Sequence, residues 1–322
     1  MCVERVSVVE KEYLREKSWE VKESANTFRS YSSFLGYMLD KLINKENVLS
    51  SYLPAEIVKM HIKGDIYIHK LPHSLWIPYC VEWNYGRILQ MSLRTPTLYS
   101  KLARHSDSII SHLVNFLFMA SQEWTGAQAV SAIDLFLAPF VRHDKLSFRK
   151  VKQAMQRLMF ELNYPGRMGY QAVFTNITIM LDLSKHYLEE EAIIGGKKIG
   201  ALSDYIDEAL KVAGAIIELQ IEGDGVGQPL TFPITTVMVT KEFDWSGRRW
   251  GDLSELIFKA MALRGFLYIL NGYHRNIGFT YAMCCRLTLD ISKLHEVSVW
   301  DHEIERTGAF GPFLMLREAL ES

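Results

Sequence analysis

Residues 147–181 read SFRKVKQAMQRLMFELNYPGRMGYQAVFTNITIML and place an amphipathic helix directly before a strand-like segment. Ser147 can cap a helix over residues 147–163. Apolar residues then recur there at helical spacing, at Val151, Met155, Leu158, Met159 and Leu162. Residues 170–181 are instead rich in β-branched and aromatic residues, which is typical of a strand. A helix followed by a strand is the unit from which α/β proteins are built.

The same alternation continues towards the C-terminus. Residues 202–223 predict a second long helix, with Ser203 as its cap, and residues 229–240 (PLTFPITTVMVT) predict the next strand. Residues 252–265 predict a third helix that ends at a glycine. Strands that alternate with long helices predict an α/β fold with an interior sheet or barrel. Periodicity alone leaves open whether the sheet is open or closed.

The composition is ordinary for a soluble globular protein, with 48% hydrophobic and 23% charged residues among 322. We find no repeat, low-complexity segment or flexible linker, so we expect one domain over residues 1–322. The formal net charge of −1 gives no basic excess for direct nucleic-acid binding. No signal peptide and no apolar run of about 18 residues is visible, so we expect no membrane association. Four cysteines are too few for a disulfide scaffold. We therefore expect a cytoplasmic protein with reduced thiols.

Short motifs of metal, phosphate and hydrolase chemistry are missing. The chain has no CxxC, no HExxH and no other His/Cys cluster with ligand spacing, so no metal site is predicted. His69 and His73 are four residues apart, but Pro72 between them argues against a shared helix face. GDGVG (223–227) follows a helix and lacks the ending of a P-loop, so it predicts a turn. IGGKKIG (194–200) predicts another tight turn, at Gly195 and Gly196. There is no GxSxG elbow; a cysteine nucleophile with a histidine base stays open, although no spacing supports it.

Two of the four cysteines are adjacent, in AMCCRL (282–287). Buried core cysteines are one interpretation of Cys284 and Cys285, and the residue types alone favour it. Radical or redox chemistry is the other, because a thiol gives up its hydrogen atom more readily than other common side chains.

Seven longer blocks carry a resemblance. They are AEIVKMHIKGDIYIHKL (55–71), IPYCVEW (77–83), QEWTGAQAVSAIDLFLAPFVRHD (122–144), MFELNYPGRMGYQAVFTNIT (159–178), EGDGVGQPLTFPITT (222–236), EFDW (242–245) and MCCRLTLD (283–290). In content, order and spacing, these blocks resemble the catalytic subunit of anaerobic (class III) ribonucleoside-triphosphate reductase, a glycyl-radical enzyme. The resemblance runs nearly from end to end.

The resemblance implies a ten-stranded α/β barrel in two halves, surrounded by helices, with cysteines that project into its centre. It implies that Cys285 becomes a thiyl radical and abstracts hydrogen from C3′ of a ribonucleotide. Cys80 matches the cysteine that takes part in reducing C2′. The implied activity is an oxidoreductase reaction of deoxyribonucleotide biosynthesis for DNA replication.

Four further residues are candidates for the same site by resemblance. Cys284 and His69 are possible supporting residues, and Gln128 and Asn176 are candidate substrate-binding residues, with a structural role equally open for both.

The chain also departs from the family pattern. Tyr67 and Lys70 replace a histidine and an aspartate, and Glu82 replaces a glycine. The charges of Lys70 and Glu82 are costly if these sites are buried. The family pattern continues past MCCRL to a zinc module and a glycyl-radical loop, and an ATP cone often precedes it. We therefore expect a single truncated barrel without these parts, with poor solubility on its own.

The resemblance also implies partners. Ribonucleoside triphosphates are the expected substrates and effectors, and a homodimer is expected. No cofactor is predicted to bind to this chain; a separate C-terminal chain would supply the glycyl radical, which a radical-SAM activating enzyme would generate. One alternative is a catalytically inactive reductase paralogue that binds nucleotide as a regulatory protein. Another glycyl-radical enzyme, such as an acyl lyase, is a third possibility, against which the blocks GAQAVSAID and TFPI argue.

Overall fold

The computed structural model describes residues 2–15, 21–23, 28–77, 79–169, 171–180, 185–273, 280–282, 288–290, 295–299 and 302–310. The α-helices among them are α1 (Cys2–Leu14), α2 (Tyr31–Ile43), α3 (Glu46–Leu49), α4 (Ala55–Lys63), α5 (Tyr85–Ile88), α6 (Ser106–Ala120), α7 (Ile133–His143), α8 (Phe148–Leu162), α9 (Lys185–Glu189), α10 (Ile206–Glu222) and α11 (Leu253–Arg264). No helix of the described residues is long and apolar enough to cross a membrane.

The strands of the same residues fall into one large sheet and four small hairpins. The large sheet contains β1 (Val81–Trp83), β4 (Gln128–Val130), β7 (Thr175–Ile179), β10 (Ile234–Val239), β11 (Leu267–Asn271), β14 (His295–Val299) and β15 (His302–Phe310). The hairpins pair β2 (Arg94–Thr95) with β3 (Leu98–Tyr99), β5 (Pro165–Arg167) with β6 (Gln171–Ala172), β8 (Glu191–Ile194) with β9 (Lys197–Ala201), and β12 (Thr280–Ala282) with β13 (Thr288–Asp290).

Five neighbouring strands of the large sheet are parallel and follow the chain in order. The sheet order is β11-β10-β7-β4-β1-β15-β14, and each pair from β1 to β11 is parallel. Strand β15 then pairs antiparallel with β1, and β14 with β15. Parallel neighbours require crossover connections, and each of these connections contains at least one helix. The predicted α/β architecture is confirmed, with one parallel half of the implied barrel formed by these five strands.

The helix predicted over residues 147–163 is confirmed as α8. Its five predicted core positions, from Val151 to Leu162, are all buried. Ser147 occupies the N-cap position with extended backbone, although its side chain makes no capping hydrogen bond. A stripe of apolar residues at helical spacing therefore identified both the helix and the face that packs.

The prediction of Ser203 as the cap of α10 is wrong. Residues Leu202–Tyr205 form a short 3₁₀ turn, and α10 begins only at Ile206. The backbone N–H of Ala201 donates to Oδ2 of Asp204, so this carboxylate holds the chain in a tighter turn before the α-helix starts. The predicted end is correct, because Gly223 follows the helix with a φ of 80°.

Both predicted turns are confirmed. Gly195 and Gly196 join β8 to β9 with φ values of 58° and 73°, which suit the mirror-image turns of tight hairpins. In the 223–227 turn, Oδ1 of Asp224 accepts hydrogen bonds from the backbone of Val226 and Gln228. This side chain takes the part of a backbone acceptor, so the segment is a closed turn.

Candidate active site

Both faces of the large sheet carry buried polar residues, but one face carries more of them than the other. Since side chains alternate along a strand, Trp83, Val130 and Ile177 share one face, and all three belong to the main apolar core together with residues of α6, α7 and α10. The opposite face carries Glu82, Ala129, Ser131, Asn176, Thr178 and Thr236, and we call it the polar face. Its polar members are almost fully buried, with Glu82, Asn176, Thr178 and Thr236 at 0% exposure. A buried sheet face rich in hydrogen-bonding groups is a candidate site, because apolar packing alone does not require them.

Cys80 stands at one end of this face. It lies two residues before Glu82, so strand alternation places it on the same side, and its side chain is 2% exposed. The backbone N–H of Ala127 donates a hydrogen bond of 3.2 Å to Sγ of Cys80. A Cβ on Gly126 would approach this sulfur to 2.7 Å and the carbonyl oxygen of Tyr79 to 2.2 Å. The segment before β4 therefore packs directly against the thiol, which only glycine at position 126 allows.

Burial favours the uncharged form of the Glu82 side chain. Ser131 Oγ donates a hydrogen bond of 2.8 Å to Oε1, while Oε2 has no hydrogen-bond partner among the described residues. Burial raises the pKa of the Glu82 carboxyl well above its usual range, and the Ser131 hydrogen bond offsets only part of that shift. Protonation would remove the charge that is costly at this buried position, and the neutral acid would be able to donate one hydrogen bond.

Asn176 and Thr236 are linked across the neighbouring strands β7 and β10. Thr236 Oγ1 donates to Oδ1 of Asn176 over 3.2 Å. Thr178, two residues further along β7, has no hydrogen-bond partner for Oγ1 among the described residues. Together with Oε2 of Glu82, this gives the polar face two buried oxygen atoms with hydrogen-bonding capacity to spare.

His69 approaches the site through an aromatic contact. Its ring meets the ring of Tyr79 edge-on at 4.3 Å between centroids, and Tyr79 directly precedes Cys80. Burial lowers the pKa of His69, and the charge of Lys70 lowers it further. The pKa of Lys70 is itself lowered by burial and by Arg167, with Asp40 opposing. His69 is therefore a neutral ring next to the thiol segment.

Gln128 faces the other way. Its Oε1 accepts a hydrogen bond of 2.6 Å from Nε1 of Trp83, whose ring packs edge-on against Phe116 of α6 and Trp124. This contact lies on the helix-facing side of the sheet, so the structure does not bring Gln128 together with Cys80. The sequence could have revealed the orientation of Gln128. Gln128 and Val130 are two residues apart in the same strand, so their side chains share a face of the sheet.

Comparison with known proteins identifies the family of the chain and its fold. The sequence model of the family described as anaerobic ribonucleoside-triphosphate reductase matches residues 23–314. The chain belongs to this family. No curated protein matches the chain.

Solved structures of anaerobic ribonucleotide reductase from Thermotoga maritima share the fold. The structure with citrate in the active site superposes with a TM-score of 0.65 at 19% identity, over 85% of this chain and 50% of the other. The complex with dATP and CTP superposes with a TM-score of 0.61 at 18% identity, over 85% of this chain and 46% of the other. The structure with dATP in the specificity site superposes with a TM-score of 0.61 at 20% identity, over 83% of this chain and 46% of the other. The chain thus spans about half the length of these reductases.

The cysteine pair of the reductase pattern, Cys284 and Cys285, lies outside the described residues. The flanking strands β12 and β13 are described, and they pair antiparallel with Ala282 opposite Thr288. Of the predicted site residues, the structure thus assembles Cys80 and Asn176 on the polar face, with His69 nearby. Sequence reasoning missed Ser131 as the partner of Glu82, although it belongs to the matching block 122–144.

Two further features lie on the outer side of this reductase-family fold. His105, His143 and Asp144 bring their potential ligand atoms within 4.8 Å of one another. The spacing of histidines along the sequence did not reveal this group, because 38 residues separate His105 from His143. A groove of about 1160 Å³ lies beside α6 and carries Lys101, Arg104 and His105 among its lining residues. The polar face contributes no residue to this groove.

Proposed function

We propose that this chain forms the substrate-reducing half barrel of an anaerobic ribonucleotide reductase. The observation that carries the proposal is the buried thiol of Cys80 on a polar sheet face, within a chain of this reductase family. The T. maritima relatives are described with dATP and CTP, which supports nucleotides as substrates and effectors here. The ribose of a ribonucleoside triphosphate would lie against the polar face.

The proposed reaction uses two thiols with separate tasks. A thiyl radical at Cys285 takes the hydrogen atom from C3′, so that an S–H bond forms and a carbon radical remains on the sugar. The 2′-hydroxyl takes the proton of the Cys80 thiol and leaves as water, and C2′ is then reduced by two electrons and one further proton. The hydrogen atom held by Cys285 returns to C3′, so that the thiyl radical forms again, and Cys80 regains a proton. The electrons come from an external donor, for which formate and a dithiol protein are both open.

Burial supports radical chemistry at this face. The described polar-face side chains are shielded from solvent, and Sγ of Cys80 is oriented by the N–H of Ala127. A dry, rigid site protects a carbon radical from quenching. A protonated Glu82 would add a hydrogen-bond donor to a sugar hydroxyl, whereas a carboxylate can only accept.

The partners follow from the same proposal. A glycyl radical supplied by a separate chain would generate the thiyl radical, and a radical-SAM enzyme would generate the glycyl radical. Homodimer formation and effector binding also remain predictions.

The buried acid Glu82 supports a second candidate function, that of a reductase paralogue that binds nucleotide without turnover. Glu82 stands where the family pattern has glycine, and it fills space on the face that the sugar would use. A regulatory protein would tolerate such a change.

An anaerobic assay separates the two candidates. The chain is combined with candidate glycyl-radical chains and the activating enzyme, and the glycyl radical is verified by electron paramagnetic resonance before CTP or ATP is added. We expect deoxynucleotide product with the native chain and none with Cys285→Ala. Tight nucleotide binding without product, equal in Cys285→Ala, would favour the regulatory paralogue. Neither product nor binding in the presence of a verified radical would contradict both.

A further inference from the structure

We propose that His105, His143 and Asp144 bind one divalent transition-metal ion of the zinc type at the junction of α6 and α7. The inference does not depend on reductase activity, because the cluster lies outside the polar face. His105 is the N-cap residue of α6, His143 is in the last turn of α7, and Asp144 is the C-cap residue of α7.

The aspartate is already oriented as a ligand. The backbone N–H of Ser106 donates to Oδ2 of Asp144 over 2.6 Å, and Oδ1 lies 2.7 Å from Nδ1 of His105. A carboxylate that is fixed by a backbone donor is a preorganised metal ligand.

Small side-chain rotations would complete the site. Three ligand atoms around a tetrahedral ion at about 2.0–2.1 Å lie about 3.3 Å apart. The potential ligand atoms of the cluster are within 4.8 Å of one another, so each pair needs to close by at most about 1.5 Å. The rings of His105 and His143 are 5.5 Å apart between centroids, and both residues are exposed. Their rotation would exchange the His105–Asp144 hydrogen bond for metal ligation without disturbing the core.

The ligand set selects the class of metal. Imidazole nitrogen suits zinc, copper, nickel and cobalt, whereas magnesium and calcium prefer oxygen ligands alone. Two histidines and one carboxylate leave a fourth tetrahedral position for water or another ligand.

Of the two helix ends at the cluster, the C-terminal end of α7 favours a cation, and the Asp144 carboxylate offsets the positive N-terminal end of α6. The carbonyl groups at the C-terminal end of α7 give a negative potential where His143 and Asp144 lie. The neighbouring Arg142 is paired with Glu208 over 2.6 Å, and it stacks over Tyr205. The guanidinium of Arg142 is therefore directed towards α10, and the carboxylate of Glu208 balances its positive charge.

A second histidine–aspartate contact provides the matched control. Nε2 of His73 lies 2.7 Å from Oδ1 of Asp40, the same separation as in the cluster. No third ligand joins this pair among the residues that the structure describes. It should bind a metal ion poorly, because one nitrogen and one oxygen do not form a stable tetrahedral site.

The test uses the full chain without an affinity tag, stripped with a chelator and titrated with Co²⁺, whose visible absorption reports tetrahedral coordination. We expect one equivalent of Co²⁺ to bind with this absorption, to be displaced by Zn²⁺ and to raise the thermal unfolding midpoint. Binding should weaken by more than about tenfold in His105→Ala and in His143→Gln, and stay unchanged in His73→Ala. Circular dichroism verifies that each variant is folded.

Two outcomes would overturn the proposal. One is the absence of any tetrahedral Co²⁺ signal in the native chain. The other is a signal of equal strength in folded His143→Gln, which would assign the ion to other histidines of the chain.

Discussion

Ser131 Oγ donates a 2.8 Å hydrogen bond to Oε1 of Glu82, and both side chains are buried on the polar face of the sheet. This pair links strand β1 to the end of β4. Glu82 lies two residues after Cys80, on the same face of the sheet. Because Ser131 provides only one neutral hydrogen bond, it compensates for a buried negative charge only in part, and burial favours protonation of the carboxyl.

Glu82→Gln is the first test of that protonation. Glutamine keeps the volume and can accept from Ser131, but it does not ionise. The native acid keeps its proton to a higher pH than the unfolded chain does, so its contribution to stability falls as pH rises above the ordinary pKa of a glutamate side chain. We expect Glu82→Gln to flatten that fall, measured as the free energy of urea unfolding between pH 5 and pH 9. An unchanged pH slope would show that Glu82 is ionised in the folded protein.

Asp134 is a second buried acid, on the helix side of the sheet. Both carboxylate oxygens accept from the backbone N–H of Met180, at 3.0 and 3.1 Å, and burial raises the pKa of Asp134 to about 7. Between pH 3.8 and about 7 the unfolded chain loses this proton while the folded chain keeps it, so stability declines through that window. At about 1.4 kcal/mol per unit, the decline is at most about 4 kcal/mol.

Asp134→Asn should remove this decline while keeping an acceptor for Met180. The measurement is again urea unfolding against pH, with Glu82→Gln as the comparison and the double variant to separate the two contributions. If Asp134→Asn loses stability equally at pH 5 and pH 8, the carboxyl acts only through its hydrogen bonds.

Gly126→Ala should displace Cys80. The added Cβ would lie 2.2 Å from the carbonyl oxygen of Tyr79 and 2.7 Å from Sγ of Cys80, both closer than atoms can approach. We expect a loss of about 3 kcal/mol or more in unfolding free energy. Gly225→Ala is the matched control, because its Cβ meets nothing within 4 Å, and it should stay within about 0.5 kcal/mol of the native chain. A stable Gly126→Ala variant with a native rate of Cys80 alkylation would contradict this packing.

Gln128→Leu tests whether that residue binds substrate or supports the fold. Removing its carbonyl leaves Nε1 of Trp83 buried without an acceptor, which should cost about 1–3 kcal/mol of stability. Trp83→Phe removes the donor, so the double variant should lose less than the sum of the two single variants. Nucleotide affinity should be unaffected in folded Gln128→Leu; a selective loss of affinity would place Gln128 in the binding site.

Local pattern was enough to predict much of the scaffold. The stripe from Val151 to Leu162 identified the buried face of α8, and β-branched runs identified β7 and β10. These signals are local, because the spacing of apolar residues within one helix or strand decides which face of that element is buried. The start of α10 was missed because the carboxylate of Asp204 competes for the backbone at Ala201, an interaction that periodicity does not contain.

The site was less predictable, because it depends on contacts between distant segments. Cys80 and Asn176 came from the family resemblance, and the structure places both on one face. The burial of Glu82 and its bond to Ser131, 49 residues away, required the strand register of β1 and β4. The contact between His105 and Asp144 likewise joins two segments that are 39 residues apart. The spacing of residues along the chain does not reveal such pairs.

Anaerobic turnover of Cys80→Ser, measured beside Cys2→Ser, tests the central claim most directly. Cys2 lies at the start of α1, outside the polar face, and serves as a cysteine-to-serine control of the same size. With a verified glycyl radical and a ribonucleoside triphosphate, we predict that Cys2→Ser forms deoxynucleotide at the native rate while folded Cys80→Ser forms none. Native product formation by Cys80→Ser would contradict the assignment of the polar face as the reducing site.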